Sequence, residues 1–124
     1  MADVFTNVGR GYVGGVLSGL TAQVTTFFGN VGTTVATALV GDTTLSGEVG
    51  TARISTTRTN PTTTITGDTA QQVFTYTATG GITITNAGYF TASSGGTLIQ
   101  KSDHTGIPLV ANDSIQYTFR AQVT

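Results

Sequence analysis

The stretch TTLSGEVGTARISTTRTN, residues 43–60, brings Glu48, Arg53 and Arg58 close together in a chain that otherwise carries little charge. A carboxylate and a guanidinium five residues apart suit three roles: an acid–base site, a buried structural pair, or a contact within an assembly. Acid–base catalysis needs a second carboxylate converging from another element. The remaining acids are Asp3, Asp42, Asp68, Asp103 and Asp113, each beside a turn-type residue or near the chain start. Asp42, Asp68 and Asp113 read as turn formers whose carboxylates bond their own backbone. His104 is the only histidine and lies in KSDHTGIP, which reads as a polar turn. In an extended segment Asp103 would point to the opposite face from His104, so neither a metal set nor a serine–histidine pair is completed. No serine sits in a GxSxG elbow, and GRGYVGG lacks the lysine of a phosphate loop. The expectation is a non-enzymatic protein with no cofactor and no metal. For Glu48 and Arg53, two readings stand side by side. One is a solvated pair worth under about 1 kcal/mol. The other is a partly buried pair whose disruption strands a charge.

Composition narrows the classes further. Charged residues make up 9% of the chain, against roughly 25% in ordinary soluble domains. Their place is taken by 28 threonines and 17 glycines. Threonine's branched Cβ favours strands, and its hydroxyl wets a strand face without charge. Weak charge repulsion favours association, which suits part of an assembly. Arg10, Arg53, Arg58, Lys101 and Arg120 form no cluster, so no nucleic-acid partner is expected. Residues 11–40 hold no uninterrupted apolar run of about 18 residues, and no basic region precedes them, so neither a membrane span nor a signal peptide is expected. There are no cysteines, which excludes disulfides and thiolate ligands. A length of 124 residues suits one domain, 1–124.

Elements that would position these residues follow from periodicity. In SIQYTFRAQV the residues Ile115, Tyr117, Phe119, Ala121 and Val123 alternate with polar ones, and Phe74, Tyr76 and Ala78 do so in QQVFTYTAT. Both are half-buried strands, with Phe74, Tyr76, Ile115, Tyr117 and Phe119 facing a core. GITIT, AGYFTAS and GTLIQKS give further strands, broken at Gly80–Gly81, Asn86 and Ser93–Gly96; the pair Gly95 and Gly96 suits a tight hairpin turn. Asn112 and Asp113 mark another turn, and Pro108 reads as a strand end. ARISTTR and TTTIT add two strand candidates around Asn60–Pro61. Near the start, Thr6 or Asn7 caps a short helix over Val8–Ser18, despite several glycines that each cost about 1 kcal/mol there. Residues 29–50, rich in glycine and threonine, read as mostly long loop. The resulting fold class is mainly β: an antiparallel β-sandwich, jelly-roll-like, with residues 1–20 as an N-terminal helix or arm.

The segments FTNVGRGYVGGVLSG, FFGNVGTT, GDTTLSGEVGTARIS, FTYTATGGITITNAGYFTASSGGTLIQKSD and LVANDSIQYTF, in that order, resemble a set of tailed-bacteriophage virion structural proteins. That set shares a glycine-containing opening helix, a GxGTT loop, a TxLxxEVxR stretch, an ITNAGxF…GGTLI hairpin and a closing NDSIQxTx strand. The resemblance implies a small sandwich on the virion surface, acting as a capsid decoration (cement) protein. Its partners would be the major capsid protein and copies of itself, most simply a homotrimer. By position, Glu48 and Arg53 match the shared acidic and basic residues, which implies a structural pair, and Gly88, Gly95 and Gly96 match turn positions. The loop has no tryptophan, so an aromatic contact there does not carry over. A tail-fibre or baseplate-associated module is the alternative. A carbohydrate-binding or adhesin-like sandwich is a third reading, with Tyr12, Tyr76, Tyr89 and Tyr117 as stacking platforms; tyrosines 76 and 117 share the apolar parity of their strands, which favours core.

Overall fold

Alternation in the two clearest strands sets one sheet of the sandwich. Strands β5 (Thr69–Thr77) and β8 (Ser114–Gln122) pair antiparallel along their full length, from Thr69 opposite Gln122 to Thr77 opposite Ser114. Phe74, Tyr76 and Phe119 are buried, and Ile115 and Tyr117 are half-buried against the same core, so the inward face is the expected one. Strand β4 (Thr57–Thr59) completes this three-stranded sheet, in the order β4-β5-β8. The computed structural model describes residues 3–122; the expected inward position of Val123 lies outside the described residues.

The second sheet has five strands in the order β1-β7-β6-β2-β3, all neighbours antiparallel: β1 (Asp3–Phe5), β2 (Phe28–Gly32), β3 (Ile54–Ser55), β6 (Ile82–Phe90) and β7 (Leu98–Leu109). The two sheets pack face to face around Val31, Phe74, Tyr76, Ile84, Ala87, Tyr89, Ile99 and Phe119. The protein is thus a mainly β antiparallel sandwich with a short N-terminal helix, α1 (Asn7–Leu17). One side is closed by the chain itself, which steps from β3 to β4 through Thr56. The Thr56 N–H donates to Phe27 O at 2.9 Å, and its hydroxyl donates to the Gln72 side chain.

Several sequence expectations need correction. Residues 29–50 are mostly loop, as expected, but their first part is strand: β2 runs through the glycines of FGNVG between β6 and β3. Gly29 is required there, since a Cβ would enter the Phe74 ring. Asn86 does not break a strand and Gly88 is not in a turn: both lie inside β6, where Gly88 faces Lys101 and Asn30. A Cβ at Gly88 would meet Gln100 O, Leu45 and Leu98. KSDHTGIP is not a turn but part of β7, and Pro108 pairs with Thr83. Strand β1 covers β7 only at Gln100–Ser102, so β7 is an edge at Pro108, where a missing N–H is tolerated. The β6–β7 register slips twice, absorbing Ile99 near one end and extra residues between Asp103 and Ile107 near the other. TTTIT is a bent loop rather than a strand. Asp68 accepts from the N–H groups of Thr63, Thr64 and Ile65 at 2.9–3.1 Å, an arrangement an extended strand does not allow. The turns at Gly95–Gly96 (φ 64° and 73°) and at Asn112 (φ 73°) with Asp113 are present.

Helix α1 begins at Asn7 because Thr6 caps it. The Thr6 hydroxyl accepts from Gly9 N–H at 2.9 Å and donates to the Leu98 carbonyl, fully buried. Gly9 lies against the Ile99 carbonyl with no room for a Cβ, so this glycine is a packing requirement, whereas Gly11 and Gly14 face open space. Gly14→Ala is therefore expected to stabilise the protein by up to about 1 kcal/mol through helix propensity. Gly29→Ala is expected to lower stability by about 1–3 kcal/mol through overpacking against Phe74. Thermal and urea unfolding of the two variants read this opposite pair of signs.

Candidate functional site

The outer face of the five-stranded sheet carries a row of polar side chains that a sheet facing water would not bury. Asn30 on β2, Asn86 on β6 and Lys101 on β7 are each at most 2% exposed. What covers them is the loop 33–53. Asn86 clamps its middle from both sides: Oδ1 accepts from Ser46 N–H at 3.0 Å, and Nδ2 donates to Ser46 O at 2.9 Å. Lys101 Nζ donates to Asp42 Oδ2 at 2.9 Å, Ser46 Oγ at 2.9 Å and Thr44 O at 3.2 Å, which uses all three ammonium protons. Asp103 accepts from Ala38 N–H at 2.6 Å, and the Thr85 hydroxyl donates to Thr34 O at 2.8 Å. Gly32 and Gly88 let the loop lie flat, since side chains there would collide with Ser46 O and Leu45. A small apolar cluster of Leu45, Phe90 and Leu98 fills the remainder.

Glu48 and Arg53 close the far end of this loop. Arg53 donates from Nε to Glu48 Oε2 at 2.8 Å and from a terminal nitrogen to Oε1 at 3.1 Å, a two-pronged pair. Its other terminal nitrogen donates to Ala92 O at 3.0 Å and Gly95 O at 2.7 Å, in the β6–β7 hairpin loop. The guanidinium lies 3.5 Å over the Phe90 ring. Asn30 Nδ2 adds a bond to Glu48 Oε2 at 2.8 Å and one to Val49 O. Its Oδ1 is buried with no partner among the described residues. Glu48 thus joins a loop to a central strand, and Arg53 joins the same loop to a hairpin. Arg58 stands apart, exposed on β4 opposite Gln72.

The electrostatics favour structure over proton transfer. Burial pushes the Glu48 carboxyl up, but the bonds from Arg53 and Asn30 and the guanidinium charge outweigh it and hold the group below the ordinary glutamate range. Asp42 is likewise lowered: burial opposes, while Leu39 N–H and Lys101 favour the anion more strongly. A carboxylate locked as an anion with its oxygens already bonded is a poor general acid or base near neutral pH. His104 is not in a turn. It stands on β7, where Nε2 lies 2.8 Å from the Tyr117 hydroxyl and the rings stack at 5.8 Å. Phe74 stacks on Tyr117 at 5.4 Å as well. Tyr76 and Tyr89 are buried, and Tyr12 packs edge-on against Phe27 while its hydroxyl accepts from Val24 N–H. Burial leaves neither Tyr76 nor Tyr89 a face for a sugar. Among the described residues no three His, Asp or Glu side chains converge.

Sequence reading placed Glu48 and Arg53 together but missed Lys101, Asn86 and Asn30. For Asn30 the available signal was position, a polar residue between Gly29 and Val31 where burial demands a fixed partner; Asn86 beside Thr85, and Lys101 between Gln100 and Ser102, carried no such mark.

Three outcomes are expected. Glu48→Gln and Arg53→Gln should each cost about 2–3 kcal/mol, and the double variant less than their sum, because each single change strands the other partner. Asp42→Ala should cost about 3 kcal/mol by leaving the Lys101 ammonium short of its counter-charge, and adding Lys101→Met should restore part of it. Both carboxyls are depressed in the folded state, so their stabilisation is complete above the unfolded carboxylate range and is lost as pH falls through the lowered folded values. Glu48→Gln should therefore flatten the acid limb of a plot of melting temperature against pH.

Compared with protein-family models, curated proteins and solved structures, the chain matches none.

Proposed function

We propose that this protein is a non-enzymatic structural component of a tailed-phage virion, a decoration protein that sits on the outside of the head as a homotrimer and binds the major capsid protein. The observation that carries the reading is a fixed surface bearing unpartnered apolar side chains. The loop 33–53, tied down by Lys101, Asn86 and Asp103, exposes Val35 at 86% and Leu39 at 59%. Helix α1 joins it through a bond from Asn7 N–H to Val40 O at 2.7 Å. The helix and the turn after it expose Leu17 at 84% and Leu20 at 89%, with Val13 one turn before Leu17 on the same face. Exposed apolar groups held on a rigid backbone suit a contact surface with little ordering entropy to lose. A cement protein needs many modest contacts and no reactive group, and the anchored carboxylates described above are consistent with that.

Deleting residues 1–9 is a poor probe of the contact, because it would remove β1 and the Thr6 cap that fastens α1 to β7. Surface substitutions are cleaner. Leu17→Asp with Leu39→Asp is expected to leave circular dichroism and melting temperature unchanged and to weaken attachment to DNA-filled, tail-less heads at least tenfold in a pull-down. Undiminished attachment would remove this face from the mechanism. Binding to tails or to host cells, but not to heads, would replace the decoration reading with a fibre or adhesin one. Virion density showing isolated single copies would contradict the trimer.

A further inference from the structure

The two sheets differ in width. They are joined at β3 and β4, and from that closed side one has five strands and the other three. On the opposite side β1 and the adjoining part of β7 reach past β8, leaving an open groove. It has a volume of about 560 Å³ between Asp3, Gln100 and Ser102 above and Tyr117 and Phe119 below. A second hollow of about 460 Å³ shares Asp3, Gln100 and Arg120 with it and extends to Phe5 and Ala121. The inward positions of β8 along this groove are apolar and the outward ones polar.

The edge of β8 has a defined hydrogen-bonding phase. Ala78 N–H donates to Asp113 O at 2.8 Å, so Ala78 and Asp113 face each other across the ladder. Counting along the register from there, Ile115, Tyr117, Phe119 and Ala121 direct their backbone groups to β5. Gln116, Thr118 and Arg120 direct theirs outward. The Arg120 carbonyl agrees, since it accepts from Gln100 Nε2 at 3.1 Å across the groove. The outward N–H groups of Gln116, Thr118 and Arg120 have no partner among the described residues. A row of unpaired amides beside a groove walled by aromatic side chains is complementary to one thing, an extended peptide backbone.

We infer that the β8 edge accepts an extended segment of a partner protein as a fourth strand of the small sheet, antiparallel to β8 and apolar at every second position. Backbone pairing with Gln116, Thr118 and Arg120 supplies affinity, and the alternate side chains enter the groove beneath β1. A second folded copy is a poor occupant: pairing β8 with β8 about a two-fold axis brings each copy's projecting β1 into the space of the other. A bare strand has no such projection. The inference does not depend on the virion reading.

The probe is a blocked, fluorescein-labelled peptide with the sequence SIQYTFRAQ of β8 itself. Antiparallel and centred on Thr118, it sets its Phe opposite Tyr117 and its Arg opposite Gln116, with no like charges facing. Saturable binding is expected by anisotropy, with a scrambled peptide at least tenfold weaker. Thr118→Pro removes an outward N–H without removing a bond to β5, and should weaken binding at least tenfold. Amide exchange on the wild-type protein gives a readout that does not depend on that variant folding. Gln116, Thr118 and Arg120 should exchange fast alone and slowly with peptide, while Tyr117 and Phe119 stay protected throughout. Absent binding, binding undiminished in a folded Thr118→Pro protein, or protection confined to other residues would overturn the inference. So would a concentration-dependent dimer of the wild-type protein that protects the same three amides, since the edge would then belong to a second copy.

Discussion

Lys101 carries an ammonium group from the outer face of a central β-strand into a pocket where it is almost fully enclosed, and everything on that side of the molecule is arranged around it. A buried cation with fewer than three acceptors would cost several kcal/mol. The loop 33–53 supplies Asp42, Thr44 and Ser46, and so must lie flat on the sheet. Asn86 and Asn30 extend the same demand along β6 and β2, and Glu48 with Arg53 carries it to the β6–β7 hairpin. The glycines at 32 and 88 follow from the constraint, because a side chain at either position would lift the loop away. A sheet that would otherwise bury one face thereby buries two, and the loop gains a fixed shape without secondary structure of its own.

The same organisation accounts for where the molecule is open. The chain closes one side of the sandwich by passing from β3 to β4, and the loop closes the outer face. Two of the surfaces left open bear on binding: the apolar side chains of α1 and the loop, and the backbone edge of β8. They differ in kind. The first offers apolar area on a rigid support and suits a broad, modest contact. The second offers hydrogen bonds in a fixed phase and suits an extended segment. In a chain with so few charges neither is shielded by repulsion, which is consistent with a protein that works inside an assembly.

Much of the fold was legible in the sequence, and the failures have physical causes. Strands β5 and β8 were clear because each has one face on the core and one in water, so alternation was preserved. Strand β2 was hidden because both its faces are crowded, by Phe74 on one side and the loop on the other; glycine meets that need and erases the pattern. Strands β6 and β7 were broken too early, since Asn86 and the run from Lys101 to Thr105 look like turns by residue type. Instead they are strand, and Asn86, Lys101 and Asp103 among them anchor the loop. TTTIT looked like a strand from its β-branched residues, but Asp68, later in sequence, gathers three of its amides into a loop. Glu48 and Arg53 were noticed because charges are rare here; Lys101 stands where GTLIQKS meets KSDHTGIP, and nothing in the residue types there marks it as buried.

Native-state hydrogen exchange measures how firmly the buried polar row holds the loop to the sheet. The amides of Ala38 and Ser46 lie in a segment with no regular structure, yet each donates to a side chain fixed on the sheet. If the buried polar row fastens the loop as described, both amides should open only with global unfolding, and their exchange free energies should match those of the β5–β8 ladder. Exchange at the rates of a free loop, with the β5–β8 amides still protected, would show that the loop moves independently of the sheet and would contradict the account.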